Sequence, residues 1–166
     1  MKHEKFKYKS LDEIKAKAQE LKVHIPFAED TRALLQEASF GNVRLKNRLG
    51  VAPMEGADAL PDGSPSELTL RRYVRDAEGG SAMIWFEAIS IVPDRRSSAH
   101  QRMLTRENLE QNKRFTAAVR EAGIRANGFA PYLIMQANHS GRYSNPQGNP
   151  APMIASSSRF RRCSTI

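Results

Sequence analysis

One segment constrains the fold more than any other. Ala82-Met83-Ile84-Trp85-Phe86-Glu87-Ala88-Ile89-Ser90 is nearly all apolar, yet it is only nine residues long. A bilayer span needs about 20 apolar residues, so this run does not cross a membrane. It also lacks the in-out alternation of a strand with one face in water. It reads as a parallel strand covered on both faces. Parallel neighbours require crossover connections, usually helical, and the flanks supply them. Ser64-Pro65-Ser66-Glu67 predicts a helix start, with Ser64 as cap, Pro65 at the first helical position and Glu67 closing a capping box. Leu68, Leu70, Tyr73, Val74 and Ala77 give that helix its apolar positions, and Gly79-Gly80 ends it. On the other side, Thr105 opens a long helix to Ala122, with Gly123 as its stop.

Two further strands complete the pattern. Leu49-Gly50-Val51-Ala52-Pro53-Met54 is a short apolar run halted by proline, and Tyr132-Leu133-Ile134-Met135-Gln136-Ala137 is a third. The order strand, helix, strand, helix, strand describes two successive crossovers and a parallel sheet. Upstream, Ser10–Leu21 reads as a helix capped by Ser10 with Glu13 in the box. A short helix is expected over Asp30–Ala38. Phe40 to Arg48 suggests a hairpin turning at Gly41-Asn42.

A (β/α)8 barrel takes about 250 residues, whereas these 166 residues reach only a third strand. A doubly wound sheet would also need more strands. The expectation is therefore α/β, an incomplete parallel sheet, with an open edge on the third strand. Such a sheet is expected to be marginally stable, with self-association through that edge unless a partner completes it.

Charge narrows the function classes. Lys2, Lys5, Lys7 and Lys9 against Glu4 give +3 at residues 1–10. Arg159, Arg161 and Arg162 give +3 at 159–166, and the remaining +2 of the total +8 is spread over 11–158. A nucleic-acid footprint is a basic face on the folded body, which this distribution does not favour. No apolar leader follows the Lys-rich start, so no secretory signal and no membrane anchor are expected. The single Cys163 forbids an internal disulfide and a cysteine-based zinc site, and a cytoplasmic setting fits it. The other histidines, His3, His24 and His100, have no ligand spacing to His139, so no metal is expected.

Three blocks carry specific signals. They are Gly41 to Arg48 followed by Ala52-Pro53-Met54, then Gly79 to Ala88, then Gln136-Ala137-Asn138-His139-Ser140-Gly141-Arg142. Each has a plainer reading: a hairpin and strand, a helix stop and core strand, and a strand end opening into a loop. In this order and spacing, with Tyr73 between, they resemble the Old Yellow Enzyme family of flavin-dependent NAD(P)H oxidoreductases, from about Leu35 to Ala155. The resemblance implies the N-terminal part, about three βα units, of a TIM (β/α)8 barrel. An N-terminal helical lead would occupy 1–39 and an incomplete FMN-binding barrel portion 40–158. The hairpin would plug the barrel's bottom.

The resemblance also implies roles. Pro53 and Met54 would lie against the flavin, Ala88 would offer its backbone to the ring's polar edge, and Gln136 would bond the pyrimidine portion. A carboxamide both donates and accepts, which suits that edge. Plainer roles are a loop-capping amide for Gln136 and core filling for Met54. His139 and Arg142 match a His-Ala/Ser-Gly-Arg block, or serve the loop itself. Glu55 departs from the family, where Thr or Cys often follows the Pro-Met pair; a carboxylate there would disfavour an anionic reduced flavin.

The implied cofactors are FMN, with NADH or NADPH as hydride donor, and the implied partner is a small-molecule acceptor such as an activated alkene. The family's acceptor-binding side chains and phosphate site belong to later strands. The residues from Ser156 to Ile166, with a basic tail at 159–166, look foreign to the family, which suggests a truncated or frame-disrupted chain that is inactive alone. A non-catalytic remnant and a small basic binding protein are the alternatives.

Overall fold

The computed structural model describes residues 5–28 and 30–154. The expected tail at 159–166, Cys163 and the last residues of the expected barrel portion lie outside the described residues. The chain divides into two compact units, Met1–Arg32 and Ala33–Ile166.

The first unit is built on α1, Leu11–Glu20. Ser10 caps it as expected, its hydroxyl accepting from the Glu13 N–H at 3.2 Å. The Glu13 carboxylate, however, accepts from Lys9 N–H at 3.0 Å, one residue before the cap.

The segment that follows differs from expectation. The helix expected over Asp30–Ala38 is a single 3-10 turn, Arg32–Leu35, and Ala38 already belongs to a strand. Leu34 and Leu35 are exposed, so no apolar face stabilises a longer helix there. The hairpin is as expected: β1, Ala38–Phe40, pairs antiparallel with β2, Val43–Leu45, through Gly41 at φ +55°.

A three-stranded parallel sheet follows, in the order β3 (Gly50–Val51), β4 (Met83–Ser90), β5 (Tyr132–Asn138). The expected crossovers are both present. β3 is shorter than the expected run from 49 to 54, because Pro53 offers no N–H to continue a ladder. The first crossover is α2, Glu67–Glu78. Its cap is Ser66, not Ser64, and the box closes through Thr69, not Glu67. Ser64 is taken by Asp62, which accepts both its N–H at 2.9 Å and its hydroxyl at 2.6 Å. Those two bonds hold the Asp62 carboxyl below the usual range.

The second crossover is α3, Leu109–Asn127. Thr105 and Asn108 bond each other's N–H groups in a turn ahead of the helix proper. Gly123 does not stop the helix; Gly128 does, at φ +77°. Gly123 is buried inside α3, where an added Cβ would lie 2.6 Å from Pro131 Cδ and 2.9 Å from the Phe129 carbonyl oxygen. It is glycine because the chain leading into β5 passes that close.

Both helices pack on one face of the sheet. Tyr73, Phe86 and Phe115 form the centre, with Tyr73 edge-on to Phe86 at 4.9 Å and to Phe115 at 5.6 Å. Ile84, Ile89, Ala77, Val119 and Ala122 close around them. At the strand starts, buried Asn47 donates to Gly80 O at 2.7 Å and accepts from Leu49 N–H and Ala82 N–H, which ties β3 to β4. Hairpin residues Val43 to Lys46 line a small cleft there with Ala82 and the segment 129–132. The hairpin therefore sits at the N-terminal end of the sheet.

Candidate functional site at the strand tips

The C-terminal ends of β3, β4 and β5 share one edge of the sheet, and a bulge in β4 decides what faces where. The register runs Trp85↔Ile134 and then Ala88↔Gln136, so Phe86 and Glu87 together oppose Met135. Ile84 and its partner Leu133 belong to the helix-side core. Trp85, Ile134, Ala88 and Gln136 therefore face the opposite, open side, since side chains alternate along a strand. Among the described residues the Gln136 carboxamide makes no hydrogen bond, and it is half-buried. Ala88 and Gln136 are thus direct cross-strand neighbours.

Pro53 and Met54 follow β3 toward the same edge. Pro53 is half-buried and Met54 is exposed, so Met54 is not core filling. Glu55 turns toward the loop after β4: its carboxylate accepts from the Ser97 hydroxyl at 2.7 Å and from Gln101 Nε2 at 3.2 Å. The Ala88 carbonyl also accepts from Gln101 Nε2, at 3.1 Å, so part of the backbone at Ala88 is already engaged within the chain.

His139 and Arg142 lie in the loop beyond β5, both exposed. The Gly141 N–H donates to His139 Nδ1 at 3.1 Å, which requires that nitrogen to be unprotonated. Arg142 donates to the Tyr143 hydroxyl at 2.7 Å and stacks on that ring at 4.7 Å. These contacts shape the loop locally. That loop is in turn fastened to the loop after β4, through Ser140 N–H to Arg95 O and Asn145 N–H to Arg96 O.

A buried polar group behind the tips escaped sequence reasoning. Glu87 is fully buried. Its carboxylate accepts from Arg72 at 3.1 Å and from the Gly56 N–H at 3.2 Å, and Tyr73 hydroxyl contacts it at 3.4 Å. The Glu87 N–H donates to the Tyr73 hydroxyl at 2.8 Å. Burial, reinforced by the nearby Glu87 charge, pushes the Tyr73 hydroxyl up to about 12. Arg72 also pairs with Asp58 and donates to Met54 O at 3.3 Å. The network therefore joins the loop after β3 to the end of β4. An ionisable residue inside an apolar strand is rare unless paired, so Glu87 itself was the available signal.

No family model matches the chain. A curated NADH oxidase from Thermoanaerobacter brockii is 28% identical over 114 residues, covering 68% of this chain and 17% of its own. Morphinone reductase, solved with tetrahydroNAD, superposes with a TM-score of 0.56 at 25% identity, over 68% of this chain and 28% of its own. The Old Yellow Enzyme from Pichia sp. AKU4542 gives 0.59 at 23% identity, over 69% and 28%. Over about two thirds of its length the chain is similar to the Old Yellow Enzymes. Its three parallel strands are part of that TIM barrel, and the relatives are, by name, oxidoreductases. The chain spans less than a third of the length of each of these three.

The strand tips fit a flavin in kind. An open face offers a carboxamide with no partner among the described residues, Gln136, beside the Ala88 backbone, with an exposed thioether, Met54, on the adjoining loop.

Proposed function

We propose that this chain forms the flavin-holding part of an FMN-dependent NAD(P)H oxidoreductase of the Old Yellow Enzyme type. The observation that carries this reading is the pairing of Ala88 with Gln136 on the open face of a three-strand parallel sheet. When bound, FMN supplies hydride transfer between NADH or NADPH and an acceptor such as an activated alkene. The chain's own residues bind and orient. Gln136 hydrogen-bonds the ring's pyrimidine edge, donating and accepting at once. Met54 and Pro53 cover the ring, and the backbone at Ala88 lines its polar side. His139 and Arg142 shape the neighbouring loop.

The family's phosphate-binding loop and acceptor-binding side chains belong to later strands. On this reading the 166 residues hold flavin without turning over NAD(P)H unaided. The cytoplasm is the compartment this reading implies. Among the described residues no helix is long and apolar enough to cross a membrane.

Titration of the purified chain with FMN tests the reading. Quenched flavin fluorescence and a yellow colour retained through gel filtration are expected, with Gln136→Leu weakening binding about tenfold. A protein that stays colourless and leaves flavin fluorescence unchanged supports the non-catalytic remnant instead. Salt-sensitive retention of nucleic acid would point to a basic binding protein.

A further inference from the structure

We propose that Gln101 is a positioning residue that fixes the Ala88 carbonyl and the Glu55 carboxylate at the flavin-facing strand tips. This inference rests on the flavin reading above and assigns a role to a residue that contributes nothing to it directly. Gln101 is fully buried although it sits in a loop. Every polar atom of its side chain is used across three segments. Nε2 donates to Ala88 O at 3.1 Å, at the end of β4, and to Glu55 Oε1 at 3.2 Å, on the loop after β3. Oε1 accepts from the Ser97 N–H at 2.7 Å, on the loop after β4. The Ser97 hydroxyl then closes the ring by donating to the second Glu55 oxygen at 2.7 Å.

The backbone around Gln101 is itself anchored. Arg102 O accepts from Ser90 N–H and Leu104 N–H donates to Ser90 O, so the segment runs as a bridge beside the end of β4. Only an amide serves here. A carboxylate at 101 could accept from Ser97 but would face the Ala88 carbonyl and the Glu55 carboxylate without a donor. A thioether would deprive both oxygens of this donor.

Glu55 has no ion pair among the described residues; its two partners are neutral donors. Gln101 therefore holds a carboxylate that has no ion pair at the tips. Such a charge opposes added negative charge on a nearby ring. It keeps the bound flavin harder to reduce, and its release makes reduction easier.

The test uses the whole chain in four forms: wild type, Gln101→Met, Glu55→Gln and the double variant. FMN affinity is read by fluorescence quenching and the midpoint potential of the bound flavin by dye equilibration. Circular dichroism and hydrogen exchange at the Ser97 amide are followed without flavin. Gln101→Met should lower FMN affinity about tenfold through loss of the Ala88 contact, while Glu55→Gln changes it less than about threefold. Both single variants should shift the potential to more positive values, and the double variant no further than either, because the two act on one contact. Ser97 amide protection should fall in both forms that carry Gln101→Met and not in Glu55→Gln.

Additive potential shifts, or a Gln101→Met protein with wild-type affinity and potential, would overturn the role of Gln101 and leave the flavin reading intact. A folded wild type that ignores FMN would overturn both. If Gln101→Met loses its native circular dichroism, Gln101→Asn and Gln101→Leu replace it. The potential must then move to more positive values in both with the fold retained, or the proposal fails.

Discussion

On the helix side of β4, Ile84, Phe86 and Ile89 are at most 4% exposed and pack against Tyr73, Phe115 and Val119. On the other side of the same strand Trp85 is 40% exposed, and across from it β5 presents Ile134 and Gln136 half-buried. The amino-acid types barely differ, since all of these strand residues but Gln136 are apolar. The difference lies in what covers them. One face has its helices, supplied by the crossovers within this chain. The other carries the polar strand tips and is where a ligand can approach. Apolarity marks a strand meant to be covered on both faces, and it does not say by what.

The two faces should respond differently to truncation. Phe115→Ala removes the aromatic that touches both Tyr73 and Phe86, and should cost about 3–5 kcal/mol in urea unfolding. A chain of modest stability would lose its cooperative transition. Gly123→Ala should cost about 1–3 kcal/mol by overpacking where Pro131 and Phe129 leave no room; a stability equal to wild type would mean the β5 approach relaxes freely. Trp85→Ser on the open face should cost less than Phe115→Ala, because Trp85 keeps 40% of its surface in water and has less burial to lose. It should also reduce self-association in sedimentation velocity, and an unchanged sedimentation profile would show that the open face does not mediate contact between copies.

Alkaline pH sharpens the contrast further. Tyr73 titrates near 10 when unfolded and is pushed up to about 12 by burial in the folded chain. Its contribution to stability is full below pH 10 and is lost as pH rises toward 12. Tyr73→Phe should flatten that part of the stability profile, as measured by denaturation at stepped pH. The smallest effect belongs to the exposed Lys113–Glu110 pair. Breaking it should change stability by less than about 0.5 kcal/mol.

Much of this was legible in the residues. Strand identity, parallel order and the Gly41-Asn42 turn follow from apolar run length and turn chemistry, which are local. Positions set by distant partners were not legible. Ser64 has the composition of a cap but is consumed by Asp62, so the helix begins at Ser66. Gly123 looks like a helix stop, yet its reason for being glycine is Pro131 across a turn. Among the candidate site residues, Ala88 and Gln136 rest on the resemblance and not on local pattern, and their cross-strand register is a feature of the fold alone. Glu87, Arg72 and Gln101 were not assigned roles, because nothing in a linear string says which loop a buried amide or carboxylate will meet.

The extra residue in β4 has one more consequence. Two positions, Phe86 and Glu87, stand opposite Met135, and this resets the phase of everything downstream. Were both kept in plain alternation, without the bulge, the inward and outward sets would exchange places from that point on. An acid would then point into the open face where alanine now stands, and the backbone next to Gln136 would meet its ligand with a negative charge in the way. Whether this edge welcomes an electron-rich ring or repels it is therefore decided by a count of one.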